Sequence, residues 1–140
     1  MGERPGRASG RRRTAPTPQL QLQLQLRIRV RIGDVVAVGP GKIALLAAVG
    51  EHGSISAAAR SLDMSYRRAW LLLDELNRSL VSPATVASQG GRRGGGAQVT
   101  ASGEALLALY RRIEAEALAV TRRDTARLLR MLARPGPTPT

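Results

Sequence analysis

The chain has no cysteine and no phenylalanine, and among its 140 residues there is one histidine, one lysine, one tryptophan and two tyrosines. Without cysteine there is no disulfide, no thiolate metal site and no cysteine nucleophile. His52 alone cannot build a histidine metal cluster, and nothing near it supplies a Ser/His/Asp arrangement. Asp74 and Glu75 look like paired carboxylates, but neighbours on a helix point in different directions and do not make an acid/base couple. An enzyme is therefore not expected, and neither is a metal or cofactor. The few aromatics give no platform for stacking single-stranded bases, which counts against an RNA-binding sheet. No run of about 18 apolar residues exists to cross a membrane, and the Arg-rich start lacks the apolar stretch of a secretory signal. A cytoplasmic protein without membrane contact is expected.

What the chain does have is positive charge. Lys and Arg number 22 against 10 Asp and Glu, a net +12, which points to a polyanionic partner such as nucleic acid or an anionic membrane surface. The length suits one domain. Residues 1–18, rich in Gly, Pro and arginines (Arg4, Arg7, Arg11, Arg12, Arg13) and without apolar periodicity, read as a disordered basic arm. Residues 19–134 read as the folded domain and 135–140 as a disordered tail.

From Leu20 to Ile32 apolar residues alternate with Gln and then Arg, the period of a half-buried strand. The β-branched Arg27–Ile32 part is the stronger half. After Gly39-Pro40-Gly41, Ile43, Leu45, Leu46 and Val49 recur at helical spacing up to Gly50. Ser54 or Ser56 caps a second helix with Ala58, Ala59 and Leu62 on its inner stripe, and Ser65 caps a third built on Ala69, Leu72, Leu73, Leu76 and Leu80. Two β-prone pieces, 84–88 and 97–100, flank a glycine-rich tip carrying Arg92 and Arg93, and so form a hairpin, or wing. A last helix spans about 100–134, is interrupted at Asp124, and repeats Leu106, Tyr110, Ile113, Ala117 and Val120 at intervals of three and four, a seam for pairing with another helix. The fold expected is mainly α with small β: a winged helix-turn-helix with an N-terminal strand and a long C-terminal dimerisation helix.

In a helix-turn-helix the second helix presents its N-terminal residues to base edges. Arg67 and Arg68 suit guanine or phosphate, and the Ser65 and Tyr66 hydroxyls suit phosphate oxygens. Trp70, one position past the apolar stripe, either bridges the core and the DNA-facing surface or covers the packing seam. Arg92 and Arg93 suit a wing entering the minor groove. A phosphate loop is disfavoured because no Gly-Lys-Ser/Thr ending precedes a helix.

These motifs carry a resemblance. GSIS (53–56), SYRRAW (65–70), the glycine-rich wing GG..GGGA and the T..G opening of the last helix are similar to the winged helix-turn-helix domain of the ModE family of molybdate-responsive transcription regulators and, more distantly, to LysR-type DNA-binding domains. The match runs from about Arg27 to about Val120. It implies a homodimer joined by the last helix and the N-terminal strand, with each recognition helix in a major groove of a palindromic site. Ser54 and Ser56 would open the first helix of the motif, Ser65, Tyr66, Arg67, Arg68 and Trp70 would form the recognition segment, and Arg92 and Arg93 the wing. Family members continue into molybdate-binding β-barrels, so molybdate is not expected to bind this chain. The expected function is sequence-specific binding of double-stranded DNA to regulate transcription, with genes of molybdate uptake or molybdenum metabolism as targets. The alternative is a non-specific nucleic-acid or RNA-binding protein that uses the arginine-rich arm and the Gly-Arg loop.

Overall fold

The computed structural model describes residue 2 and residues 22–88 and 96–132. The N-terminal arm, the wing tip with Arg92 and Arg93, and the tail from 133 onward lie outside the described residues. In chain order the elements are β1 (Val30–Ile32), β2 (Val35–Val38), α1 (Pro40–His52), α2 (Ile55–Ser61), α3 (Tyr66–Ser79), β3 (Thr85–Ser88), β4 (Gly96–Val99), α4 (Ala101–Val120) and α5 (Arg122–Met131). The winged helix-turn-helix expected from the sequence is the fold observed.

The N-terminal strand differs from expectation. Only Val30–Ile32 is strand, and it pairs antiparallel with β2, with Ile32 opposite Val35 and an irregularity between Val30 and Arg31. The Gly33-Asp34 turn joins the two, with Gly33 at φ +60°. The alternation upstream survives as burial without a ladder. Leu24, Leu26 and Ile28 are half-buried while Gln23, Gln25, Arg27 and Arg29 are exposed, because the apolar side is held by packing rather than by a neighbouring strand.

α1 is the central element, with Leu45, Leu46 and Val49 fully buried. One side joins Ala58 and Ala59 of α2, Ala69 and Leu73 of α3 and Ala97 of β4. The other joins Leu76 of α3, Ala84, and Leu107 and Tyr110 of α4. Alanine at these crossings allows close backbone approach. α1 ends where Gly53, at φ +73°, caps it and donates its N–H to the Val49 carbonyl at 2.8 Å; only glycine takes that left-handed geometry at no steric cost.

The long C-terminal helix is broken, but at Thr121 rather than Asp124. Thr121 Oγ1 donates to the Ala117 carbonyl at 2.6 Å, and Thr121 both ends α4 and starts α5. Asp124 instead sits in the first turn of α5, where a carboxylate complements the positive helix end.

Candidate nucleic-acid interface

The helix-turn-helix pair α2 and α3 is held by two serine caps. Ser54 Oγ accepts the Ala57 N–H at 3.1 Å, and Ser65 Oγ accepts the Arg68 N–H at 3.1 Å, each satisfying an otherwise unpaired first-turn donor. This resolves the choice of cap for α2 in favour of Ser54; Ser56 lies exposed in the first turn. Between the helices Asp63 adopts a left-handed φ of 59°, a conformation that Asp tolerates better than most side chains.

α3 presents three outward strips because residues three and four apart share a face. Its inner strip is Ala69, Leu73 and Leu76, all buried. Arg67 and Leu71 form the outermost ridge and are exposed. On one flank Tyr66 and Trp70 line a groove shared with Val86 and Ala87 of the wing. On the opposite flank Arg68, Leu72 and Glu75 line a cavity shared with Arg27 and Arg29. Trp70 is 46% exposed, so it belongs to the outer surface between helix and wing rather than to the core.

The wing is anchored on both sides. β3 and β4 pair antiparallel from Thr85 opposite Val99 to Ser88 opposite Gly96, and the Ala97 N–H donates to the Gly53 carbonyl at 3.0 Å, which ties β4 to the turn before α2. Asn77, for which the sequence suggests no role by itself, ties β3 to the recognition helix. Its Oδ1 accepts from the Ala84 N–H at 2.8 Å and the Thr85 N–H at 3.3 Å, and its Nδ2 donates to Thr85 Oγ1 at 3.0 Å. A side-chain amide one turn before a helix end, followed by a β-prone run, is the only signal the sequence offers for this role. Asn77→Ala is expected to destabilise the fold by about 1–3 kcal/mol, since it strands a backbone N–H of fully buried Ala84 without a partner. Urea denaturation measures the loss, and an unchanged midpoint would remove Asn77 from this role.

Lys42, the sole lysine, is 5% exposed. Its ammonium donates to the Val36 carbonyl and pairs with Glu75, and so fastens β2 and α1 to the recognition helix. Asp74 pairs with Arg78 at 3.0 Å. The two adjacent carboxylates thus turn to different partners, in line with their having no joint acid/base role.

The expected α4 seam divides. Leu106 is half-buried and Tyr110 fully so, both in the chain's own core, and the Tyr110 hydroxyl donates to the Ile28 carbonyl at 2.9 Å. Burial, seconded by Glu114, pushes the Tyr110 phenol above its ordinary range, against the opposing pull of that hydrogen bond and of Arg29. Ala117 is half-buried, whereas Ile113 and Val120 are 52% and 83% exposed. With Leu109, also exposed, they leave three apolar positions along the outer side of α4, with the exposed Arg112–Glu116 pair bordering the gap between Ile113 and Val120.

Among the described residues no group of three or more His, Cys, Asp or Glu is placed to hold a metal, and no helix is long and apolar enough to cross a membrane. A capped recognition helix with a basic ridge, flanked by a β-hairpin, defines a winged helix-turn-helix DNA-binding domain. Comparison with known proteins gives the kind. The chain is 49% identical over 78 residues to the molybdenum-pterin-binding protein MopB of Rhodobacter capsulatus, covering 56% of this chain and 29% of that protein. It is 41% identical over 75 residues to the molybdenum transport protein ModE of Azotobacter vinelandii, covering 54% and 28%. To the DNA-binding transcriptional dual regulator ModE of Escherichia coli (strain K12) it is 37% identical over 71 residues, covering 51% and 27%. The matched part of this chain is homologous to ModE transcriptional regulators, and the match spans under a third of the length of these relatives. No protein-family model matches the chain. Among solved structures, the CbnR_DBD–DNA complex is similar at a TM-score of 0.48 and 27% identity, covering 63% of this chain and 95% of that one.

Proposed function

We propose that the chain is a sequence-specific regulator of transcription that binds double-stranded DNA as a homodimer in the cytoplasm, at genes of molybdate uptake or molybdenum metabolism. The observation that carries the DNA-binding reading is the arrangement of α3. Its Ser65-capped N-terminus projects Tyr66, Arg67 and Arg68 outward, beside a hairpin held in register with it by Asn77. Non-specific binding through scattered arginines needs no such fixed frame. The molybdenum assignment rests on the names of the relatives, which include a molybdenum transport protein and a molybdenum-pterin-binding protein. The homodimer is supported by the exposed apolar positions Leu109, Ile113 and Val120. Arg92 and Arg93 are the proposed wing contacts, and Ser54 and Ser56 border the phosphate-facing start of α2.

Selection of bound duplexes from a random pool, with and without molybdate, tests the reading, and the expected product is a palindromic motif. Enrichment of no motif would leave the non-specific alternative. In the same assay Arg67→Ala is expected to lose about 1–3 kcal/mol of discrimination at one base pair per half-site while binding to the phosphates persists. Equal weakening on the selected site and on random DNA would make Arg67 a phosphate ligand instead.

A further inference from the structure

We propose that Arg27 and Arg29, from the segment before β1, join Arg68 of the recognition helix in a clamp for the DNA backbone on the side of α3 opposite the wing. The inference rests on the DNA-binding reading above and extends it to a part of the chain that the helix-turn-helix motif does not include. Arg27, Arg29 and Arg68 line one open cavity, together with Lys42, Leu72 and Glu75, and the Arg27 guanidinium donates a long, exposed hydrogen bond to Gln25 Oε1 at 3.5 Å. Glu75 is the one carboxylate lining it, and Lys42 already holds that group. Among the described residues none of the three arginines pairs with a carboxylate. The stem of Arg29 runs beside the start of α1: its Cγ lies 3.6 Å from where a Cβ on Gly39 would stand.

The geometry suits the two walls of a groove. A helix with its side chains is about 10–12 Å across and the major groove is about 12 Å wide, so a helix lying in it has a phosphate backbone at each flank. One flank of α3, with Tyr66 and Trp70, faces the wing. The other faces this cavity, and the two-pronged donors of the three arginines that line it suit phosphodiester oxygens. The ridge carrying Arg67 points between the two walls, toward the bases.

The test compares wild type with Arg27→Gln/Arg29→Gln in fluorescence-anisotropy titrations on the selected palindrome and a scrambled duplex across a salt series. The log–log salt slope should become shallower by about 0.9 for each phosphate that is no longer neutralised, affinity should fall by the same factor on both duplexes, and the base preference should stay. Arg27→Lys/Arg29→Lys, which keeps the charge, should restore most of the slope, and circular dichroism should show both variants folded. Arg127→Gln/Arg130→Gln on α5 removes the same charge elsewhere and should shift the slope less. An unchanged slope in the first variant, or an equal shift in the α5 variant, overturns the clamp while leaving the wild-type palindrome and the Arg67 effect in place. A wild type that binds no duplex overturns the DNA-binding reading and the clamp with it.

Discussion

Ile113→Asp is expected to yield folded monomers that bind a full palindrome no more tightly than a half-site. Ile113 is half exposed on α4, next to Leu109 on the same face and with Val120 beyond the exposed Glu116, and exposed apolar residues grouped on one helix face favour a partner. In a two-fold dimer the same surface is used twice, so each isoleucine is removed in duplicate. Burial of each is worth roughly 1.5–3 kcal/mol, and each substituted carboxylate adds a desolvation cost of several kcal/mol. Together these weaken association by about a thousandfold or more. The fold itself should survive, because the side chain does not enter either core cluster. Sedimentation measures the assembly, circular dichroism the fold, and titration on half-site and full-site duplexes the consequence for binding. A variant that stays dimeric would remove this face from the interface.

Gly103→Ala and Gly41→Ala are expected to move stability in opposite directions although both place alanine near a helix start. At Gly41 an added Cβ meets nothing within 4 Å, so the reduced freedom of the unfolded chain should stabilise by about 0.4–1 kcal/mol. At Gly103 the Cβ would stand 2.3 Å from the Ala84 carbonyl oxygen and 2.6 Å from Val99 Cγ1. Ala84 is fully buried and its carbonyl already accepts the Thr100 N–H at 2.9 Å, so this oxygen cannot retreat cheaply. Relief requires α4 to lift away, which also strains the Thr100 cap on the Gly103 N–H and the bond from Thr100 Oγ1 to the Pro83 carbonyl. Overpacking of this kind costs about 1–3 kcal/mol, more than the propensity gain of at most about 1 kcal/mol. Urea midpoints for the two variants check the signs, and a stabilised Gly103→Ala would show that α4 does not rest directly on the start of the wing.

Helices α2 and α3 were legible because each announces itself by apolar spacing and by a capping side chain, whereas α1 was legible from its spacing and the turn-rich Gly39-Pro40-Gly41 before it. Ser65 caps as its position suggests and Ser54 is the one of the two candidate serines that caps α2; Thr100 caps α4 without a sequence expectation for it, and the T..G opening of α4 acquires its physical reason in the close approach of Gly103 to Ala84. The wing was legible from β-prone runs around a glycine tract, to within one residue of its observed start. Strand β2 was missed because Val35–Val38 is a short apolar run without alternation, although the Gly33-Asp34 pair before it is a two-residue hairpin signal. The α4 seam was legible only in part. Periodicity shows which residues share a face but not whether that face meets the chain's own core, and Tyr110 is drawn inward by the Ile28 carbonyl while the exposed stripe shifts to Leu109. The role of Lys42 and those proposed for Arg27 and Arg29 depend on partners distant in sequence, the lysine and its carboxylate being 33 residues apart, and no local pattern encodes such meetings.

Burial of Lys42 has a chemical corollary for how the protein's charge can be altered. Every other basic side chain apart from His52 is an arginine, and guanidinium keeps its proton at any pH a cell reaches. Lysine acylation, a common way of silencing a cationic surface, therefore finds its one target in this chain folded away and engaged by Glu75. Lysine-directed labels and cross-linkers meet the same obstacle. The outward positive field is in this sense fixed by composition, and adjusting it after synthesis falls to the addition of negative charge at hydroxyls such as those of exposed Ser65 and Tyr66, where a phosphate group would stand beside Arg67 and Arg68.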